Sequence, residues 1–278
     1  MSDSFTQSLE LPSPHDPAPS PGWITRLVEI MAQLRAPDGC PWDREQTHQT
    51  LKEFLMEEAA ELFDAIDDED EEGMVEELGD VLLQVVFHSQ IASEEGRFNM
   101  QDVARVCCEK LIRRHPHVFG ESEVNDAAGV LRQWETIKRS EKPNRRPSAI
   151  SGVPRHLPAL HRAYKMQKKA AKVGFDWPSI EGVVAKIDEE LQEVKHALAT
   201  DDTAAASEEI GDLLFAVVNL SRFQQRVPEE LLHDTVKKFE TRFRRIEELL
   251  EKEHKTPTEC TLGELNALWN QAKKETSG

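Results

Sequence analysis

The chain has little glycine. Its 278 residues hold 13 glycines and no GxxxxGK run, which excludes a P-loop nucleotide site. Cysteine is equally thin: Cys40, Cys107, Cys108 and Cys260 form no CxxC pair and no zinc spacing, so they read as incidental thiols of a reducing compartment. Positive charge is in deficit. Lys plus Arg number 34 against 52 Asp plus Glu, a net charge of −18. A surface so acidic repels a phosphate backbone, and nucleic acid is not an expected partner. Long apolar runs are missing as well. The longest, near Val81–Phe87 and Leu213–Leu220, are far too short to span a bilayer, so no membrane partner is expected. No Lys or Arg precedes Arg26, which denies a secretory leader its basic segment, and the expected location is cytoplasmic.

What is abundant is carboxylate, and it is arranged. Glu57, Glu58 and Glu61 (in EEAAE) are followed by Glu77 and Asp80 (in ELGD). Glu189, Glu190 and Glu193 (in EELQE) are followed by Glu209 and Asp212 (in EIGD). All five positions recur at an offset of 132. Within each copy the residues pair at i, i+3, on one face of a helix. Two such helices side by side bring four or five carboxylates together, and their mutual repulsion calls for a bound hard cation.

Helical phase separates this reading from two solvated acidic faces. On a 100° wheel Leu51, Phe54, Leu55, Leu62 and Ile66 make an apolar stripe, with Glu58 inside it, Glu61 at its edge and Glu57 pointing away. Val183, Ile187, Leu191, Val194 and Leu198 repeat the stripe around Glu190, with Glu193 beside it. A carboxylate aimed at a core is costly unless it is paired or binds metal.

The rest of the pattern is helical: about 23–35, 47–68, 72–95, 101–115 and 128–140, then 159–172, 180–199, 203–225, 229–253 and 262–275. No segment alternates as a strand would, so the fold class is all-α, two similar tandem helical bundles. A Pro-rich tail over 1–22 reads as disordered, the first bundle as 23–141, a Pro/Gly-rich linker as 142–158, and the second bundle as 159–278. The duplication reaches beyond the acids. Trp42–Asp43 matches Phe175–Asp176, Lys110 and Arg114 match Lys238 and Arg242, and Trp134 and Lys138 match Trp269 and Lys273, with offsets that drift only across loops. The middle helix of each half, through Val81–Phe87 and Leu213–Leu220, is apolar nearly all round. It needs cover on every side, which points to a second bundle packed against it, from the other half or a second subunit.

All-oxygen ligands select Mg²⁺, with Mn²⁺ as a substitute, rather than zinc. Such ions orient water and offset charge on a phosphoryl group, cations hold the remaining phosphates, and a Trp stacks on a base. Hydrolysis of a nucleoside polyphosphate uses every piece. A carboxylate-bridged di-iron bundle calls for Glu-x-x-His, which neither ELGD nor EIGD supplies, and His88 lies two turns beyond Asp80. A non-enzymatic acidic scaffold that binds metal or a partner protein accounts for the charge, but not for carboxylates facing inward twice.

These motifs carry a resemblance. EExxE and ExxD, with CPWDREQT upstream and KLIRRHPHVF downstream, resemble the MazG family of nucleoside triphosphate pyrophosphohydrolases. VGFDW, EEIGDLLFAVVNL and KFETRF resemble that family's C-terminal domain, and the likeness covers about residues 24–275. It implies tandem all-α domains, a homodimer, and Mg²⁺-dependent cleavage of NTP or dNTP, with broad base specificity, to monophosphate and diphosphate. It also implies metal ligands at Glu190, Glu193, Glu209 and Asp212, with Glu58, Glu61, Glu77 and Asp80 as their N-terminal counterparts. Glu189 completes the catalytic acids, and Lys238, Arg242 and Trp269 contact nucleotide. In that family the C-terminal domain does most of the hydrolysis. The first half departs from the second at Arg113–His115, where the second has Thr241–Phe243.

Overall fold

A computed structural model describes residues 22–276 apart from 121, 123, 125 and 142–147. The expected tail, residues 1–21, lies outside the described residues. Among those described there is no strand. The chain divides into two compact units between Pro143 and Asn144, inside the expected linker.

The first unit holds α1 (Trp23–Leu34), α2 (Pro41–Glu45), α3 (Leu51–Asp67), α4 (Glu71–Glu94), α5 (Met100–Arg114), α6 (Pro116–Phe119) and α7 (Ala127–Ser140). The second holds α8 (Ala159–Ala171), α9 (Ile180–Ala199), α10 (Thr203–Phe223), α11 (Pro228–Lys252) and α12 (Leu262–Glu275), with a 3₁₀ turn at Pro257–Glu259. The long helices fall where periodicity puts them. The short α2 and α6 do not follow from it, because Pro41 and Pro116 look like breakers. Each proline instead occupies the first helical turn, where its missing N–H costs nothing. Gly39 ends the turn after α1. A Cβ there would sit 2.2 Å from the Leu34 carbonyl oxygen, so only glycine lets the chain turn that tightly.

The centre of each unit is a helical hairpin, α3–α4 and α9–α10, and the two are built alike. Glu69 and Asp201 both take φ of 55° at the end of the first helix. Asp70 then accepts the Gly73 amide, and Asp202 the Ala205 amide, each at 3.0 Å. The 132-residue repeat therefore extends to backbone conformation and helix cap. Around the first hairpin Met31, Leu51, Val86, Phe87 and Ile91 form the core. In the second unit Ile246, Leu250 and Ala272 bind α11 to α12, with Leu265, Leu268 and Trp269 packed beside them.

The covered stripes are narrower than the wheel suggests. Leu55, Ile66, Leu191 and Leu198 are exposed. The inward-facing positions are Leu51, Phe54, Glu58 and Ala65 on α3, and Val183, Ile187, Glu190, Val194 and Ala197 on α9. Each hairpin helix is covered mainly along its seam with its neighbour, and that seam is where the central carboxylate falls. The all-round cover expected for the middle helices is incomplete within one unit: Leu214, Phe215 and Val217 stand about half exposed. No helix among the described residues is long and apolar enough to cross a membrane.

The paired caps yield a stability test. Asp70→Ala and Asp202→Ala should each lower the unfolding free energy by about 1 kcal/mol, the usual cost of losing an N-cap oxygen. Urea denaturation checks this, and an unchanged midpoint in both would mean the caps contribute nothing.

Candidate active site

The turn between α9 and α10 is so short that the two helices lie side by side, and ExxD meets EExxE across the seam. Carboxylate oxygens of Glu190, Glu209 and Asp212 all lie within 4.8 Å of one another. Glu189, Glu190 and Glu193 form a second, overlapping group with the same spacing. Glu190 is 4% exposed, while Glu189, Glu193 and Asp212 reach solvent. Glu209 is half-buried and holds its proton above the usual carboxylate range. Burial is the main cause, followed by the charges of Glu193, Glu190 and Asp212 and a hydrogen bond with Glu193.

The buried charge of Glu190 has a partner the sequence reading passed over. Lys186, one turn earlier on α9, brings Nζ to 2.6 Å from Glu190 and 2.7 Å from Glu189. These bonds hold its ammonium well above the ordinary lysine range. The i, i+4 spacing was visible in the sequence, but lysines at that spacing are ordinarily solvated pairs.

Beside the cluster a chamber of about 930 Å³ opens. Ile150, Met166, Phe175, Trp177, Phe215 and Ala216 supply its apolar lining, and Lys186, Glu190 and Asp212 stand at one side. Asp176, Asn219 and Arg222 provide further polar groups. Trp177 is pressed against Gly182, where any Cβ would lie 2.8 Å from the indole, so glycine is what lets this ring form the wall. Ser148, Ala149 and Ile150 come from the stretch expected to be plain linker, which thus closes part of the chamber. Lys238, Arg242 and Trp269 do not line it. Arg242 stacks 5.7 Å over Trp269, which leans on Phe239 and on the α11–α12 core. Lys238 and Arg242 carry no carboxylate partner among the described residues.

The first unit repeats the carboxylate geometry. Oxygens of Glu58, Glu77 and Asp80 lie within 4.8 Å of one another, with Glu61 more exposed outside the group. Glu58 and Glu77 both hold their protons above the usual range, chiefly through burial and then through their acidic neighbours. Gln84, 5% exposed, donates to Glu58 at 3.5 Å, and its Oε1 and the Glu77 Oε2 are enclosed without a protein partner. Unsatisfied, enclosed oxygens beside clustered carboxylates suit a hard cation.

The description of MazG nucleotide pyrophosphohydrolase domains matches residues 46–119 and again 179–246, one match on each hairpin. The chain belongs to the MazG nucleotide pyrophosphohydrolase family. It is 50% identical over 247 residues to the nucleoside triphosphate pyrophosphohydrolase/pyrophosphatase MazG of Thermotoga maritima, covering 89% of this chain and 94% of that one. It is 44% identical over 256 residues to the nucleoside triphosphate pyrophosphohydrolase of Escherichia coli K12, covering 91% and 97%. An uncharacterised protein of Bacillus subtilis, YabN, is 47% identical over 246 residues, 88% of this chain and 50% of its own length.

The two MazG domains differ in what surrounds the acids. At the 132 offset Lys186 corresponds to Phe54, and Asn219 to Phe87. Phe87 is 3% exposed and part of the first core, and Phe54 packs against it and against the edge of Trp42 at 5.7 Å. Aromatic rings thus occupy the first domain where the second has a cation and an amide beside an open chamber. Arg114, the counterpart of Arg242, is tied to Glu141 at 2.5 Å together with Arg113, and the pair holds the Glu141 carboxyl down at about 2. Arg114 is thus held by a carboxylate in the first domain, whereas its counterpart Arg242 lies over the Trp269 ring.

Lys186→Met tests the pairing directly. It leaves the buried Glu190 carboxylate without its cation, so the variant should unfold at lower urea than wild type. The folded state holds the Lys186 ammonium above the ordinary lysine range, through its bonds to Glu189 and then Glu190, so the pairing stabilises fully below the unfolded lysine pKa. That contribution is lost only as pH rises through the folded value, so the deficit against wild type in EDTA should be steady from about pH 6 to about pH 9 and shrink in strong alkali. Paired urea titrations measure it, and a variant as stable as wild type across that range would contradict the pairing.

Proposed function

We propose that the chain is a Mg²⁺-dependent nucleoside triphosphate pyrophosphohydrolase that converts NTP or dNTP and water to the monophosphate and diphosphate, working chiefly at the C-terminal site. The observation that carries this reading is the continuity of an aromatic-walled chamber with a cluster of hard oxygen donors. A planar apolar base suits the former, and a polyphosphate with its counter-cation suits the latter. The curated relatives' names point the same way.

Glu190, Glu193, Glu209 and Asp212 are the proposed ligands, with Mn²⁺ as a substitute. A divalent cation held by them offsets phosphoryl charge and makes water a better nucleophile. Phe175 and Trp177 offer the base apolar ring faces at the chamber wall. Lys238 and Arg242, at i, i+4 on α11, are the cations available to the polyphosphate. Glu189 is the proposed proton acceptor as the water oxygen bonds to the α-phosphorus and diphosphate leaves. Lys186 orients that carboxylate through its 2.7 Å bond.

EDTA should abolish turnover, Mg²⁺ or Mn²⁺ restore it, and Glu190→Ala remove it while the fold survives. The products should be monophosphate and diphosphate for each base. Orthophosphate and a nucleoside diphosphate would sink the assignment.

The second expectation divides labour between the domains. Glu209→Ala should cost at least about 100-fold in kcat, as loss of a metal-centre carboxylate does. Glu77→Ala should leave most activity, because Phe54 and Phe87 fill the counterpart of the chamber and Glu141 neutralises Arg113 and Arg114. Equal losses would mean two working sites.

We also infer a homodimer. Ile210, Leu214 and Val217 form an exposed apolar face on α10, and Leu191 and Leu198 add to it from α9. A second copy presents the same face, which makes self-association its simplest cover. Light scattering should give twice the chain mass, and Leu214→Lys should yield monomer. A monomeric wild type would remove the inference.

A further inference from the structure

One wall of the chamber carries three linked polar side chains. Arg222 grips Asp176 with both ends of its guanidinium, Nη1 donating to Oδ2 at 3.0 Å and Nη2 to Oδ1. The remaining nitrogen, Nε, donates to the Asn219 Oδ1 at 2.9 Å. Arg222 is itself well covered, its side chain being 13% exposed. A guanidinium only donates. Asn219 must therefore turn its carbonyl oxygen toward Arg222, and its amide has no freedom to flip. The Nδ2 group, with two N–H donors, is left without an acceptor among the described residues.

The chamber's other amide is engaged differently. Gln167 donates Nε2 to the Phe215 carbonyl at 2.9 Å, and its Oε1 is enclosed beyond reach of solvent. Asn219 is thus the amide that faces a ligand, and it faces it as a donor.

We propose that Asn219 is a specificity-determining residue that reads the edge of the base through Nδ2–H, with Asp176 and Arg222 as the pair that positions it. The inference rests on the reading of the chamber as the base compartment. An exocyclic group projects furthest from a base and meets the wall first. A carbonyl there accepts the Asn219 hydrogen bond, whereas an amino group opposes donor to donor and leaves both unpaired. The favoured class is therefore the keto bases, 4-keto pyrimidines and 6-keto purines, over their amino counterparts.

Substrate pairs that differ only at that group supply the test: ITP against ATP, and UTP against CTP. Wild-type kcat/KM should favour the keto member of each pair by about tenfold, the equivalent of one net hydrogen bond. Asn219→Asp, which offers an acceptor in place of the donor, should reverse both ratios. Arg222→Gln should bring both ratios toward one by freeing the amide to flip, whereas mere structural damage would lower both members of a pair alike. Each ratio is taken on one preparation, so loss of folded protein cancels. Wild-type ratios at or below one, or ratios unmoved by Asn219→Asp, overturn the inference. Were Asn219→Asp wholly inactive, the wild-type ratios would decide alone. Absence of diphosphate from all four substrates would instead bring down the pyrophosphohydrolase reading beneath it.

Discussion

Like charges held close inside a helical hairpin are the constraint on which the rest of this structure depends. A turn of three residues between α9 and α10 leaves the helices no choice but to pack side by side. Their carboxylates then meet across the seam. Each hairpin must offset that repulsion with what stands nearby. In the second unit Lys186 does so through direct bonds to Glu189 and Glu190. In the first, Phe54 takes that place and the weaker Gln84 amide is the neighbour that donates to Glu58. The residual cost appears in Glu58, Glu77 and Glu209, which hold their protons above the ordinary range.

From that common skeleton the two halves diverge by filling or emptying one space. Phe54 and Phe87 extend the first core toward the carboxylates, and the gain is packing. Lys186 and Asn219 withhold apolar volume from the second, and the gain is a chamber. A like contrast separates Arg114, paired with Glu141, from its counterpart Arg242, which lies over Trp269. A duplicated fold can thus keep its acids for their geometry in both copies while the residues beside them differ, aromatic rings in one and a cation and an amide in the other. The chamber also recruits Ser148–Ile150, so the chain entering the second unit is part of its wall.

Much of the architecture was legible in the sequence, because helical period and capping are local. The long helices, the repeat and the alignment of EExxE with ExxD follow from spacing alone. The misjudged elements were α2 and α6, where proline reads equally as breaker or as first residue. Leu191 and Leu198 were assigned to a covered face because a wheel records periodicity and not the neighbour that supplies cover. Trp269 came from the family resemblance as a residue contacting nucleotide, and in the folded unit it lies against Phe239 and Arg242 and is not among the residues that line the chamber.

The sequence by itself determined the carboxylate clusters, their duplication and the all-α class, since each depends on residues a few positions apart on a regular helix. Only the tertiary structure decided that Lys186 compensates Glu190 and that Phe87 closes in one half what Asn219 leaves open in the other. It alone joined Asp176, Asn219 and Arg222, the outer two 46 residues apart along the chain, into one fixed polar wall. The physical reason is that an emptied space and the orientation of an amide belong to several elements at once, and no local pattern records either.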